Sequence, residues 1–140
     1  MPYRTIFMEK GYIRRFFGTL TFDDFFEARN EVWGREDWSD LRFHISDLTG
    51  VTQVVMSPEE ATGIAYLDEA AARSSSFMRV ALVTDNDAVA ALCHNYIDNL
   101  SVSWWDVRLF TNREDAIVWA SEGRVTSFPY GTPGPTKNAA

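Results

Sequence analysis

Four Ser/Thr-x-x-Asp/Glu boxes punctuate this chain: Thr21-Phe22-Asp23-Asp24, Ser57-Pro58-Glu59-Glu60, Thr84-Asp85-Asn86-Asp87 and Thr111-Asn112-Arg113-Glu114. At a helix N-terminus the first backbone N–H groups lack partners. A hydroxyl at the N-cap and a carboxylate three residues on satisfy two of them and face the positive end of the helix dipole. Each box precedes an apolar stripe at helical spacing, and three directly follow β-rich runs. The chain is thereby constrained to pass repeatedly from strand to helix.

The intervening segments complete the pattern. Residues 3–9 and 12–17 are β-rich runs separated by Lys10-Gly11, which predicts an N-terminal hairpin. The first helix carries Phe22, Phe25, Phe26, Val32 and Trp33, and Gly34 ends it. Residues 35–40 read as a polar connection and 41–48 as a strand. A loop is expected over 47–56, with a short extended piece at 53–56. Ser57 then caps a second helix rich in small residues, with Pro58 at its first position, running to about residue 74. Residues 78–83 and 105–110 are the remaining strands. Val89, Leu92, Tyr96, Ile97 and Leu100 mark the third helix, and Ala116, Ile117, Trp119 and Ala120 the fourth.

The order β-β-α-β-α-β-α-β-α with short connections predicts an α/β fold. Its sheet is mixed, mostly parallel and five-stranded, with right-handed crossovers. Residues 1–122 form one domain on this reading, and 123–140 are a Gly/Pro-rich tail with little structure of its own. Phe128 and Tyr130 are candidates to dock that tail on the body or on a second subunit. A chain of 140 residues with 46% hydrophobic and 14% aromatic residues can build its core without staples. The single cysteine, Cys93, excludes an internal disulfide and fits a reducing compartment. No apolar run approaches the ~20 residues that span a bilayer, and no secretory signal opens the chain. A cytoplasmic protein without stable membrane insertion is expected. The net charge of −7 argues against nucleic acid as a general partner.

Strands with one wet face alternate in polarity, whereas doubly covered parallel strands do not. Arg42, His44 and Ser46 alternate with Leu41, Phe43 and Ile45, and Asp106 and Arg108 alternate with Trp105, Val107 and Leu109. The expectation is one partly open sheet face carrying a patch of Arg42, His44 and Arg108. Hydration, a homodimer contact and ligand binding are its candidate uses.

Two stretches of this chain resemble the SpoIIAA-like superfamily of STAS and SEC14-type domains, especially its small stand-alone bacterial members. One is Phe43-His44-Ile45-Ser46-Asp47-Leu48-Thr49-Gly50-Val51-Thr52, like the family's hydrophobic strand ending in Asp-Leu-x-x-Val. The other is Val107-Arg108-Leu109-Phe110-Thr111-Asn112-Arg113-Glu114-Asp115-Ala116-Ile117-Val118-Trp119, similar to its closing strand and acidic helix start. The resemblance implies the fold already read from the element order. It also implies a non-enzymatic STAS-like regulatory or protein-interaction module, working with a protein partner or as a homodimer. STAS anti-sigma-factor antagonists carry Asp-Ser-Ser-Gly after this strand, with a phosphorylated serine. Here Val55-Met56-Ser57-Pro58 stands instead, and Ser57 is the nearest positional match. Asp47, Thr49, Thr52 and Ser57 form the implied interaction loop. The alternative is a small carrier of an apolar or lipid-like ligand, in a SEC14-type cavity between the Phe-rich first helix, the Ala-rich second helix and the sheet.

Catalytic and metal chemistry find no footing in the pattern. His44 and His94 are the only histidines, and neither has a serine or cysteine at triad-like spacing. His94 and Cys93 diverge around their helix. No ligand spacing for a metal and no phosphate- or dinucleotide-binding fingerprint occurs, so no cofactor is expected. Asp47, at a strand's C-terminal end, stands where open α/β sheets place functional groups. Trp38, Trp104 and Trp105 are candidates to line a pocket or an interface.

Overall fold

A computed structural model describes residues 2–130. The elements are β1 (Tyr3–Met8), β2 (Gly11–Thr21), α1 (Phe22–Trp33), a 3₁₀ turn (Trp38–Asp40), β3 (Phe43–Val55), α2 (Pro58–Ala72), β4 (Met78–Val83), α3 (Asp87–Asn99), β5 (Trp105–Phe110) and α4 (Arg113–Ala120). The five strands lie in chain order, β1-β2-β3-β4-β5, with β1 antiparallel to β2 and every later pair parallel.

That order dictates the layers. Three successive right-handed crossovers advancing in one direction put their helices on the same side of a sheet. Accordingly α1, α2 and α3 pack over Tyr12, Phe16, Leu48, Val80, Leu82 and Trp105. After β5 no strand remains to be reached, and α4 turns back beneath β3 and β4. There Ala116, Ile117 and Ala120 meet Ile13, Phe43, Ile45, Ala81 and Val83. The second face carries one short helix and the segment ending in Phe128 and Tyr130, so it is only partly covered. No helix among the described residues is long and apolar enough to cross a membrane.

The hairpin turn places Lys10 at φ 67°. Gly11 follows because the Phe43 ring lies over it: a Cβ there would stand 2.4 Å from the ring. Gly18, at φ +74°, sits in the bulged part of β2, where the register against β3 shifts.

Two expectations are corrected here. The segment 47–56 is not a loop but the second half of β3, paired to β2 through Thr19↔Gln53, Leu20↔Val54 and Thr21↔Val55. One edge of it is paired because β2 itself runs on past the hairpin to Thr21, whereas pairing with β4 ends at Asp47. The third and fourth helices are capped by Asn86 and Asn112, not by the threonines of their boxes. The Asn side-chain carbonyls accept from the N–H groups of Val89 and Asp115. Thr84 instead accepts from the Asn86 N–H, turning the chain into the helix. Thr21 and Ser57 do form reciprocal boxes with Asp24 and Glu60.

Candidate functional site

On the three-helix face a cavity opens between α1, α2 and the sheet. Alternate residues of the central strands make its floor: Tyr12, Arg14 and Phe16 from β2, and His44, Ser46 and Leu48 from β3. Phe22, Phe25 and Phe26 of α1 wall one side, and the partly exposed Phe26 and Trp33 stand at its rim. Trp38 and Trp105 meet edge to face at the other end, with centroids 6.3 Å apart. The cavity measures ≈ 70 Å³, about half the roughly 150 Å³ of a cavity that holds benzene.

Several polar groups stand in this apolar lining. His44 stacks on the Tyr12 ring at 4.4 Å, and its Nε2 lies 2.9 Å from the Ser46 hydroxyl oxygen. Burial, helped by the nearby Arg14 guanidinium, lowers the His44 pKa to about 3, so the imidazole is neutral. Arg14 is 3% exposed. Its Nε donates to Thr5 Oγ1 at 3.0 Å, and it lies over the faces of Tyr3 and Tyr12. Asp68 of α2 accepts from the Tyr96 hydroxyl of α3 at 2.6 Å and has Arg29 of α1 at 3.3 Å. Burial raises its pKa to about 6, against the lowering influence of Tyr96 and Arg29. Cys93 also lines the cavity, and burial pushes its thiol up to about 12, which keeps it protonated and unreactive at neutral pH.

The His44–Ser46 contact has the distance of a nucleophile and its base, but not the electrostatics. A histidine with so low a pKa is a poor proton acceptor at neutral pH, and the charge beside it is a guanidinium rather than an orienting carboxylate. Among the described residues no three His, Cys, Asp or Glu side chains converge as metal ligands.

The expected patch of Arg42, His44 and Arg108 is not a single surface. The register aligns His44 with Val80 and Val80 with Val107, whereas Arg108 aligns with Ala81 and Ile45. His44 therefore lies under the three helices. Arg108 is on the opposite face, over the Trp119 ring and paired with Asp106. Arg42 precedes β3 and donates to the carbonyls of Ser39 and Leu41.

The residues of the expected interaction loop also part company. Asp47 is fully buried on the second face, where it accepts from the Thr49 hydroxyl and backbone N–H and from the Tyr130 hydroxyl. Arg113 stands 3.9 Å from Asp47 and packs against the Phe128 and Tyr130 rings. Thr52 is exposed on β3, and Ser57 holds its capping box at the strand's end. Of the tail, residues 124–130 come back onto the body with Phe128 buried, and residues 131–140 lie outside the described residues.

Of the three tryptophans singled out, Trp38 and Trp105 line the cavity. Trp104 is 39% exposed and donates to the Ala72 carbonyl. Arg29, Asp68 and Tyr96 converge at the site by tertiary packing that no local pattern marks. Arg14 or Arg15, with Arg79, is expected on the open polar face, and Arg14 lies under the helices instead. The signal for Arg14 was present: adjacent Arg14 and Arg15 in a strand must point to opposite faces, so one had to enter whichever face the helices cover.

No protein-family model matches the chain, and no curated protein matches it. Among solved structures it is similar to an uncharacterised protein of the DUF3478 family from Shewanella loihica PV-4, described as having a SpoIIAA-like fold. The match covers 84% of this chain and 91% of that one, at 12% identity and a TM-score of 0.54. The fold is SpoIIAA-like.

Proposed function

We propose that this chain is a non-enzymatic binding module whose cavity between α1, α2 and the sheet holds a small, mainly apolar ligand. The observation that carries the reading is the lining itself. Aromatic walls enclose a floor where Arg14, His44 and Ser46 stand together, and a few convergent polar groups in an apolar pocket are the usual make-up of a ligand site. Two neighbouring features support it. His44 and Asp68 lie deep in the molecule yet keep part of their surface open to the cavity. At ≈ 70 Å³ the cavity excludes a two-chain lipid and admits a short branched body, whereas a one-ring body must extend to the rim at Phe26 and Trp33.

A second reading, a STAS-like regulatory module engaging a protein partner, is favoured by the exposed second half of β3. Thr52, Gln53 and Val55 are exposed there and lead to the accessible hydroxyl of Ser57. Native mass spectrometry of gently purified protein separates the two. A small-molecule adduct released by mild activation is the expected result. A ligand-free dimer or a protein heterocomplex, with no adduct, favours the second reading and overturns the first.

A further inference from the structure

We infer that the ligand is a small monocarboxylate with a one-ring or branched apolar body, its carboxylate held by Arg14. The inference rests on the cavity reading above and adds the ligand's charge. A buried guanidinium needs a compensating anion, and Arg14 has little of one. Its carboxylate neighbour is Glu31, 3.5 Å away, with a side chain 42% exposed and therefore screened by water. Two Arg14 N–H groups are engaged, Nε with Thr5 and one on Nη2 with Glu31. The rest of the fork is left for a ligand.

The other carboxylates near the cavity are committed elsewhere. Asp68 serves Arg29 and Tyr96, and Glu27 accepts the Tyr3 hydroxyl. Arg29 donates to the Leu67 carbonyl and to Asn30 Oδ1 and has the Asp68 carboxylate 3.3 Å from its Nε as counter-charge, although that Nε makes no hydrogen bond. His44 is neutral and supplies no counter-charge. Asp68 acts on Arg14 only through space, without a contact, so Arg14 is the guanidinium of the floor that has no buried carboxylate in contact with it. A planar carboxylate matches the guanidinium edge in shape and in charge number, whereas a phosphate dianion exceeds the surplus. A cation would meet two guanidinium groups, and a neutral ligand would leave Arg14 as it is. Phe16, Phe25, Leu48, Val80, Leu82 and Trp38 supply the apolar contacts for the body.

The test is titration with matched pairs, phenylacetate against phenylacetamide and 3-methylbutanoate against 3-methylbutanamide. Binding is followed by tryptophan fluorescence and by amide NMR shifts of the cavity strands. At least one acid is expected to bind about tenfold or more tightly than its amide, as a charge-assisted hydrogen bond supplies. That preference should vanish in Arg14→Gln and partly survive in Arg14→Lys. Amides that bind as well as acids would overturn the carboxylate while leaving the cavity reading intact. If no member of either pair perturbs the cavity residues, the cavity reading falls with it. Should the Arg14 variants fail to fold, the comparison on the unmodified protein decides alone.

Discussion

His44 is where burial has its clearest chemical consequence. Its pKa falls from 6.5 to about 3 on folding, so between those values the unfolded chain binds a proton that the folded one refuses. The stability linked to His44 is complete above about pH 6.5 and is lost progressively as pH falls toward 3. In His44→Gln that loss is absent, and the amide can still meet the Ser46 hydroxyl. Urea midpoints measured from pH 7 to 4.5 should fall less in the variant than in the unmodified protein. The difference reaches roughly 2–3 kcal/mol at the acid end. Parallel profiles would mean that His44 is not buried in its neutral form. Asp68 acts in the opposite sense: its raised pKa of about 6 means that its protonated form is favoured on folding, so stability rises as pH falls through that value. The separation of His44 from Arg108 was not legible in sequence. Alternation fixes sidedness within a strand, and only the register between strands, His44↔Val80 and Ala81↔Arg108, relates one strand's sides to the next.

At the scale of elements, the boxes announced helix starts accurately, and the capping atoms less so. Asn86 and Asn112 took over from Thr84 and Thr111 because an Asn carbonyl reaches the third helical N–H as well as a hydroxyl does. Asn112→Ala should therefore cost about 1 kcal/mol of stability, as should Ser57→Ala. Thr111→Ala, exposed and outside the cap, should stay within about 0.5 kcal/mol. Thermal and urea denaturation of the three variants checks this, and a reversal between Thr111 and Asn112 would return the cap to the threonine. The C-terminal end of α2 is held in a way no local pattern revealed. The Trp38 indole N–H donates to the Ala71 carbonyl, that of Trp104 to the Ala72 carbonyl, and that of Trp105 to Ser75 Oγ. Three indoles from two distant segments thus satisfy the groups at one helix end, a contact set by tertiary packing rather than by spacing. The strand half of 47–56 is hidden in the sequence for a related reason: β3 is long only because β2 runs on beside it.

For the molecule as a whole, element order made the α/β sheet legible, and strand polarity its one partly open face, but not which face that is: His44 and Ser46 lie under the three helices instead. What covers the other face was legible in part, since Phe128 and Tyr130 stood out as docking residues while the face they meet did not. Residues 124–130 complete it, with Phe128 buried among Ile13, Ile45 and Ala116 and with Tyr130 on Asp47. Phe128→Ala should lower stability by about 3 kcal/mol, the usual cost of emptying a buried Phe site. A urea titration is sufficient to read it, and an unchanged midpoint would show that the segment contributes nothing to the fold.

Strands that lie in chain order have a consequence for how the protein is made. Each new strand leaving the ribosome finds its neighbour already present, so the sheet can grow by accretion with short loop closures throughout. The Tyr130–Asp47 contact, 83 residues apart, is the exception. Until synthesis passes residue 130 the nascent domain holds a carboxylate without its clasp and an unfinished apolar face. Residues 124–130 therefore close the second apolar face only after every strand of the sheet has been made.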